Sequence, residues 1–593
     1  MKIKIPAQDT KKWTKPSKGE VYGNLWATKN IDLVSNAGKI RLSQRAYRVY
    51  DSGDDADLEV AVKFIRTNAD GTDRWWALTQ GGASVVNDGL LFKTTGTNPL
   101  TGWTQDAIAN TPTDCVDDME IFGRPTQDRL VVARDTDLAM ITLGGWTASW
   151  WQGTLGGGAL TATNPHQLHQ FINLLIVTDG NEIHTIDDSL VVIEDRLVLP
   201  KEYQVIWVAD DGYRVYFGTR HIRGGEALVF PWDGTSATYD SPIPVGDRIS
   251  FAGIADEGGV MHTINGKGQL LGYNGQDFVP VASLPIDENK ILRWSTNDTG
   301  RGHVVHANGM TRIDGRINIL LNGEAQGSYI LENMVSGIWE YDPNIGLYHK
   351  YGIGQFDGST NNEWGDAYSV VTGALTEIDE NRGSFLAGAE INTDNVATKL
   401  ELIASLKNGT TNRGYFITSQ INASDIRNWW KRIQMSFRKF SDSTDKLVFK
   451  YRTDKDVDMY ESEGYVKGFG LTWTDTETFT IADGGFSIAS IGDEIEFLQG
   501  EGAGALAHIE TLSNVGITYT VGLDEAIPNV ADTASCRVMN WTKLGEISSQ
   551  SIQNQLFKIA KRSKWIQFKI ELRGSSLSPE FEELIIEAEP SKR

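Results

Sequence analysis

The chain has 593 residues, 40% of them apolar, so it exceeds a single small core and two to four domains is the sensible prior. Its formal net charge of -23 is spread along the chain, which argues against nucleic acid as the main partner, because phosphate binding needs a basic face. No stretch has the uninterrupted apolar length of a membrane-spanning helix, and the opening MKIKIPAQDTKKWTKPSKGE lacks the apolar core of a signal peptide, so synthesis in a cytoplasm is expected.

Many glycines (61) and tryptophans (18) against 16 prolines suit an all-β chain with numerous tight turns. Residues 1–57 read as an N-terminal extended arm that packs on its own domain or on a neighbouring subunit. Near its end the cluster DSGDDAD holds Asp51, Asp54, Asp55 and Asp57, either a Ca²⁺ loop or an acidic solvated one.

From 58 to 408 come units of roughly forty to fifty residues. They open near Leu58, Asp128, Gln170, Tyr203, Asp247 and Gly302, with a seventh from Ala367. The Tyr203–Gly234 stretch, YQVIWVADDGYRVYFGTRHIRGGEALVFPWDG, shows the form best. Three short apolar strands are cut by Asp-Asp-Gly and Arg-Gly-Gly turns, where glycine supplies the positive φ that a primed hairpin turn needs. One such meander is too small to be stable alone, but repeated units cover one another's apolar faces. A β-propeller of six to eight blades is therefore expected, with a series of β-sandwiches as the competing fold.

Composition changes near Asn412. The segment DIRNWWKRIQ suggests a short helical turn. KLVFKYRTDKD and, far downstream, KWIQFKIELRGSSLSPEFEELIIEAE alternate in and out as strands of one β-sandwich, 409–470 and 542–593. Between them 471–541 reads as a small β-barrel inserted at a surface loop.

Candidate chemistry is sparse. GEGAGA, Gly500–Ala505, fits G-x-G-x-x-A and Asp524 follows at a distance, but only ALAHIETL is available for the crossover helix that a dinucleotide fold needs. A glycine-rich β-turn is the better reading. Asp454, Asp456 and Asp458 stand at DxDxD spacing and are weak Ca²⁺ candidates. An EF-hand loop would need Gly and Glu where Met459 and Tyr465 stand. His166 and His169 flank a loop, while His303 and His306 lie on an apparent strand whose three-residue separation points them to opposite faces. The paired tryptophans Trp75/Trp76, Trp150/Trp151 and Trp429/Trp430 are candidates for stacking on sugars, with one ring of each pair expected inside. No G-x-S-x-G, H-E-x-x-H or P-loop motif occurs, so no catalytic residue and no cofactor is expected. Cys115 and Cys536 are two buried thiols or one long-range disulfide.

The phrases SQINASDIRNWWKRI, KLVFKYRTDKD, LTWTDTETF, GDEIEFLQGEGAGALAHI, VGLDEAI and KWIQFKIEL, with GNLWATKNIDLVSNAGKIRLS near the start, resemble virion structural proteins of tailed bacteriophages and prophages. The resemblance implies a tail protein with its propeller displayed on a ring around the tail channel, comparable in architecture to the nozzle and hub proteins of short-tailed phages. It further implies packing with other tail, portal or adaptor proteins; packing with copies of itself, about six to a ring with contacts made by 410–593, is expected. DNA would at most pass through the channel, and host-surface glycans are a further partner. Two other classes stay open: a carbohydrate-binding adhesin or receptor-binding protein, and a polysaccharide-degrading enzyme with a carboxylate pair in the central propeller pocket.

Overall fold

A computed structural model describes residues 2–6, 25–29, 31–33, 39–51, 60–80, 91–106, 116–123, 128–134, 136–283, 305–321, 325–326, 329–330, 337–343, 345–352, 370–378, 385–391, 400–410, 413–418, 420–422, 427–440, 442–443, 445–454, 466–482, 486, 489–497, 505–527, 530, 535–539, 541–548, 550, 552–574 and 578–590. The described residues are almost entirely β-structure, as the alternating patterns and turn glycines require. Gly71 and Gly212 sit at φ 90° and 86° in their Asp-Gly turns, a region that costs other residues dearly.

Seven four-stranded antiparallel sheets follow one another from Val60. Their first strands are Val60–Thr67, Val116–Ile121, Leu168–Phe171, Tyr203–Asp210, Ser250–Ala255, Met310–Ile313 and Val370–Glu377. Each first strand lies beside the next, and the last lies beside the first, so the seven form a closed inner ring. That is a seven-bladed β-propeller. The second unit starts at Val116, ahead of the Asp128 expected from the pattern. The seventh blade takes its outermost strand from the start of the chain: Gln44–Asp51 pairs antiparallel with Leu400–Thr410, which closes the circle.

The core is divided the same way. Each of seven apolar clusters joins two neighbouring blades, as Trp76, Leu78, Met119 and Val132 join the first and second. Blades are therefore covered on both faces, and this corrects the expectation for the tryptophan pairs. Trp75 packs against the seventh blade and Trp76 against the second, so both rings are buried. Trp150 and Trp151 are likewise both buried. Only Trp429/Trp430, outside the propeller, splits into one exposed and one buried ring.

Downstream, a four-stranded sheet ordered Lys2–Pro6, Phe581–Pro590, Asn428–Phe437, Asn554–Ser563 packs on a second sheet. The second sheet contains Leu25–Lys29, Arg413–Thr418, Trp565–Arg573, Lys446–Thr453 and Thr542–Ile547. Trp430, Ile433, Phe449, Phe568 and Ile586 fill the space between them. A seven-stranded sheet from Val466 to Met539 curls around Phe479, Phe497, Val521 and Val538 as the inserted barrel. The stretch read as an arm thus adds one strand to each sandwich sheet and one to the propeller. The described part of DIRNWWKRIQ is not helical: Asn428–Phe437 is a strand, pairing on both sides, and Asp425 and Ile426 lie outside the described residues.

Candidate functional site

The propeller axis is where a ligand pocket would be expected, and its inner strands carry charge. Lys63 of the first blade lies 3.4 Å from Asp118 and 3.8 Å from Glu120 of the second. Burial alone would strip the Lys63 proton, but the two carboxylates more than offset it and hold the ammonium pKa above its usual value. Asp118, also buried, is pushed upward by desolvation despite Lys63 and two backbone N–H donors. Those donors, Met119 and Leu168, both at 2.9 Å, make Asp118 a staple between the second and third blades. Both carboxylates of this axial pair are therefore held by one ammonium. Farther round the ring His169 Nε2 meets Asp210 Oδ2 at 2.8 Å. Desolvation opposes ionisation of Asp210, but the histidine hydrogen bond prevails and its pKa is lowered.

His306 does not lie on a strand. It sits in the turn before Met310–Ile313, where its Nδ1 accepts the Asn308 backbone N–H at 3.1 Å. Burial, with the Lys63 charge in addition, lowers its pKa to about 4, so the ring is neutral at pH 7. His303 lies outside the described residues. His166 is buried, with Nε2 3.7 Å from Asp179.

One group of donors has metal-like spacing: Asp179, Glu182 and His184 place ligand atoms within 4.8 Å of one another. The protein already uses two of the three. Asp179 accepts from the Thr161 N–H at 2.8 Å and from Asn164 Nδ2 at 2.6 Å. His184 Nδ1 accepts the Asp195 N–H at 3.0 Å, which puts the proton of the neutral ring on Nε2. No nitrogen lone pair is left facing a cation. Of the weak Ca²⁺ candidates, Asp454 Oδ1 accepts the Lys564 backbone N–H at 2.8 Å, tying two sandwich strands together. Asp456 and Asp458, like Asp54, Asp55 and Asp57, lie outside the described residues. So does most of Gly500–Ala505, but its flanks pair antiparallel as Glu494–Phe497 and Leu506–Val515. A crossover helix has no place there. Cys536 is buried in the barrel, and Cys115 lies outside the described residues.

The largest concentration of buried charge among the described residues is not at any of the expected sites. It lies where the barrel sits on the second sandwich sheet. Glu494 from the barrel is shared by Lys450 and Lys569 from the sandwich, the latter at 2.5 Å. Glu525 from the barrel takes Arg413 at 2.7 Å and Arg573 at 2.5 Å. Glu571 stands among the sandwich cations, 3.2 Å from Lys450, 3.0 Å from Arg413 and 2.8 Å from Arg573. Its burial would favour the neutral acid, but the three cations hold its pKa well below the carboxylate range. Cations on one module face acids on the other, so the layer fixes how the barrel docks. Chemically it is a latch between modules: every carboxylate in it is answered by a cation.

Among the described residues no helix is long and apolar enough to cross a membrane. No family model matches the sequence, and no curated protein matches it. Solved structures do. A catalytically inactive virginiamycin B lyase from Staphylococcus aureus with quinupristin is 9% identical, covering 61% of this chain and 99% of the lyase with a TM-score of 0.39. The WD40 β-propeller domain of Doa1 is also 9% identical, covering 61% and 98% with a TM-score of 0.34. YCF48 bound to a D1 peptide is 7% identical, covering 62% and 96% with a TM-score of 0.37. All-β architecture and a β-propeller define the class to which this chain belongs.

Proposed function

We propose that the chain is a structural component of a bacteriophage tail, a nozzle, hub or adaptor subunit that works by packing copies of itself into a ring. The sequence phrases of the final third and of residues 23–43 motivate the reading. The observation that supports it best is the way one chain ties its modules together. Strands from the first fifty residues complete the sandwich and the propeller alike, and a buried ionic layer latches the barrel onto the sandwich. Such a body offers large surfaces of fixed relative orientation, which is what ring closure demands of a subunit. The 410–593 region is taken to supply the gripping side of the subunit contacts, with about six copies to a ring and the tail of the virion as the location.

Electron micrographs of the purified full-length protein test this directly. Closed rings of uniform diameter are expected, and a population that stays monomeric at every salt and protein concentration would overturn it. A glycan-binding surface is the second reading, favoured by Tyr213, which stands 86% exposed at the tip of its turn. It predicts that the isolated monomer binds host glycans and that Tyr213→Ala abolishes the binding.

A further inference from the structure

We propose that the Asn554–Ser563 edge of the sandwich docks a second copy of this chain, and that the surface it meets there is the acidic outer strand of that copy's third blade, Val192–Val198. This rests on the ring-forming reading and supplies it with a contact.

The charge distribution points to the first half. In a chain of net charge -23, residues 554–564 read NQLFKIAKRSK, four cations and no acid. On the neighbouring strand Arg432 and Lys431 are answered by Glu587 and Glu589. Lys558, Lys561 and Arg562 are exposed, and among the described residues no carboxylate lies within ion-pair distance of them, the acids of this sheet being taken by Lys2, Lys4, Lys431 and Arg432. Asn554–Ser563 is also the last strand of its sheet, so one side of its backbone has no ladder partner within the sheet. The register sets Trp429 opposite Arg562, Arg432 opposite Lys558 and Gln434 opposite Leu556. Trp429 is 40% and Leu556 50% exposed, which gives the cationic face an apolar component. A cavity of about 350 Å³ opens beside them, lined by Leu556, Ile585 and the Lys2–Glu587–Arg432 cluster. Cations on an edge strand prevent like edges from pairing, but they leave it open to an edge of opposite sign.

The remainder of the molecule decides the partner. A polyanion such as DNA would be repelled by the other surfaces of so acidic a chain, whereas a second copy presents those same acidic surfaces. The cationic edge cannot meet itself. The contact must therefore join two different surfaces, and heterologous contacts propagate into rings or filaments and do not stop at a twofold dimer.

The outer strand of the third blade fits the opposite half. Val192–Val198 is the last strand of its sheet. Residues 182–198 hold five carboxylates (Glu182, Asp187, Asp188, Glu194, Asp195) against the single cation Arg196. Three aliphatic side chains stand out on or beside the strand: Val191 is 53%, Ile193 42% and Val198 49% exposed. An acidic, aliphatic edge thus faces solvent on the propeller, and a basic, aliphatic one on the sandwich.

Sedimentation velocity of the full-length protein tests the assignment, at low salt and at about 0.5 M salt, where exposed charges are screened within a few ångströms. Three variants are compared with the wild type: Lys558→Glu/Lys561→Glu/Arg562→Glu, Asp188→Lys/Glu194→Lys, and the two sets combined. Circular dichroism and melting serve as folding controls. The wild type is expected to form species larger than a dimer that dissociate in high salt. Each charge-reversed set should weaken association about tenfold or more, and the combined variant should recover it. Assembly that persists in the Lys558/Lys561/Arg562 variant overturns this contact while leaving the ring-forming reading intact, and a wild type monomeric under all conditions overturns both. A duplex DNA probe that the wild type binds and this variant does not, with self-association unchanged, reassigns the edge to polyanions and also overturns the proposal.

Discussion

The ionic latch makes a quantitative prediction. Glu494 is fully buried and pairs with both Lys450 and Lys569. In Glu494→Gln, Lys450 keeps Glu571 at 3.2 Å, but among the described residues Lys569 keeps no carboxylate within ion-pair distance. Removing one partner from a buried pair costs about 3–5 kcal/mol. A ceiling of similar size follows independently. The stranded Lys569 can escape by losing its proton, which costs about 5 kcal/mol at pH 7, since 1.36 kcal/mol per unit multiplies the gap from about 10.4. Burial already lowers the Lys569 pKa in the intact protein, so this escape is the direction in which it is biased. The penalty should therefore shrink with pH. A lysine whose folded pKa lies below its unfolded one leaves the unfolded state binding more protons, so the variant gains stability as pH rises, and by about pH 9 the ceiling falls to about 2 kcal/mol. Amide hydrogen exchange of Glu494–Phe497 and Leu506–Val515 reads the docking of the barrel separately from the propeller. Protection should fall about 10²- to 10⁴-fold at pH 7, and Lys569→Met in the same chain should restore most of it. A loss worth less than about 1 kcal/mol, or one that does not change with pH, would refute the assignment of the layer as a latch.

Two further outcomes are expected. Gly218 and Gly253 flank the Trp207 ring, and a Cβ at either would lie 1.9 or 2.2 Å from it, while Trp207 Nε1 is held by Ser250 Oγ at 2.9 Å; Gly218→Ala should cost about 3 kcal/mol in thermal unfolding, at the upper end of overpacking penalties, because the indole cannot retreat toward Gly253. His306 titrates near 4 when folded and near 6.5 when unfolded, so the unfolded chain binds more protons between these values and stability is lost as pH falls through that window. Because the ring is half-buried, about 1–3 kcal/mol of that acid sensitivity should vanish in His306→Gln, read as the difference in urea midpoint between pH 6.5 and pH 4, and an unchanged difference would show that the ring is not desolvated.

The propeller was legible because its signals are local: Asp-Gly turns and short apolar strands lie within a few residues of one another. Closure by Gln44–Asp51 was not legible, since its partner Leu400–Thr410 lies some 350 positions away and edge pairing leaves no mark on spacing. The helical reading of DIRNWWKRIQ has an identifiable cause. The register shifts between Trp430 and Arg432, so the buried apolar positions run Trp430, Ile433, Met435, Phe437, and the step of three after Trp430 imitates a helix. The latch was hidden by a third effect. In KLVFKYRT and WIQFKIELR the charges alternate with apolar residues, the pattern of a strand with one wet face. That face is instead roofed by the barrel, and Trp565–Arg573 is buried nearly throughout. The mixture of signs at the adjacent same-face positions Lys569, Glu571 and Arg573 suits an exposed face equally well, so it did not mark the layer.

The proposed ring contact places one further demand on the fold. If the sandwich of one copy grips the propeller of the next, the rotation between neighbours depends on how propeller and sandwich are held within each subunit. A free hinge there would spread that rotation and favour open filaments over closed rings. The N-terminal segment opposes such a hinge. Leu25–Lys29 and Ile31–Asp32 lie against Gly346–Gly352, the outer strand of the sixth blade, while Leu25–Lys29 is itself a strand of the sandwich sheet. Asp32 is buried at this junction, with Arg41 at 3.0 Å, and its charge helps hold the Lys350 ammonium protonated against burial. Twelve residues after Asp32, the same segment becomes the last strand of the seventh blade. Loosening the junction with Asp32→Ala should therefore broaden ring diameters in micrographs or open them into filaments, without preventing association. Rings of unchanged, uniform size would show that the angle between neighbours is set elsewhere.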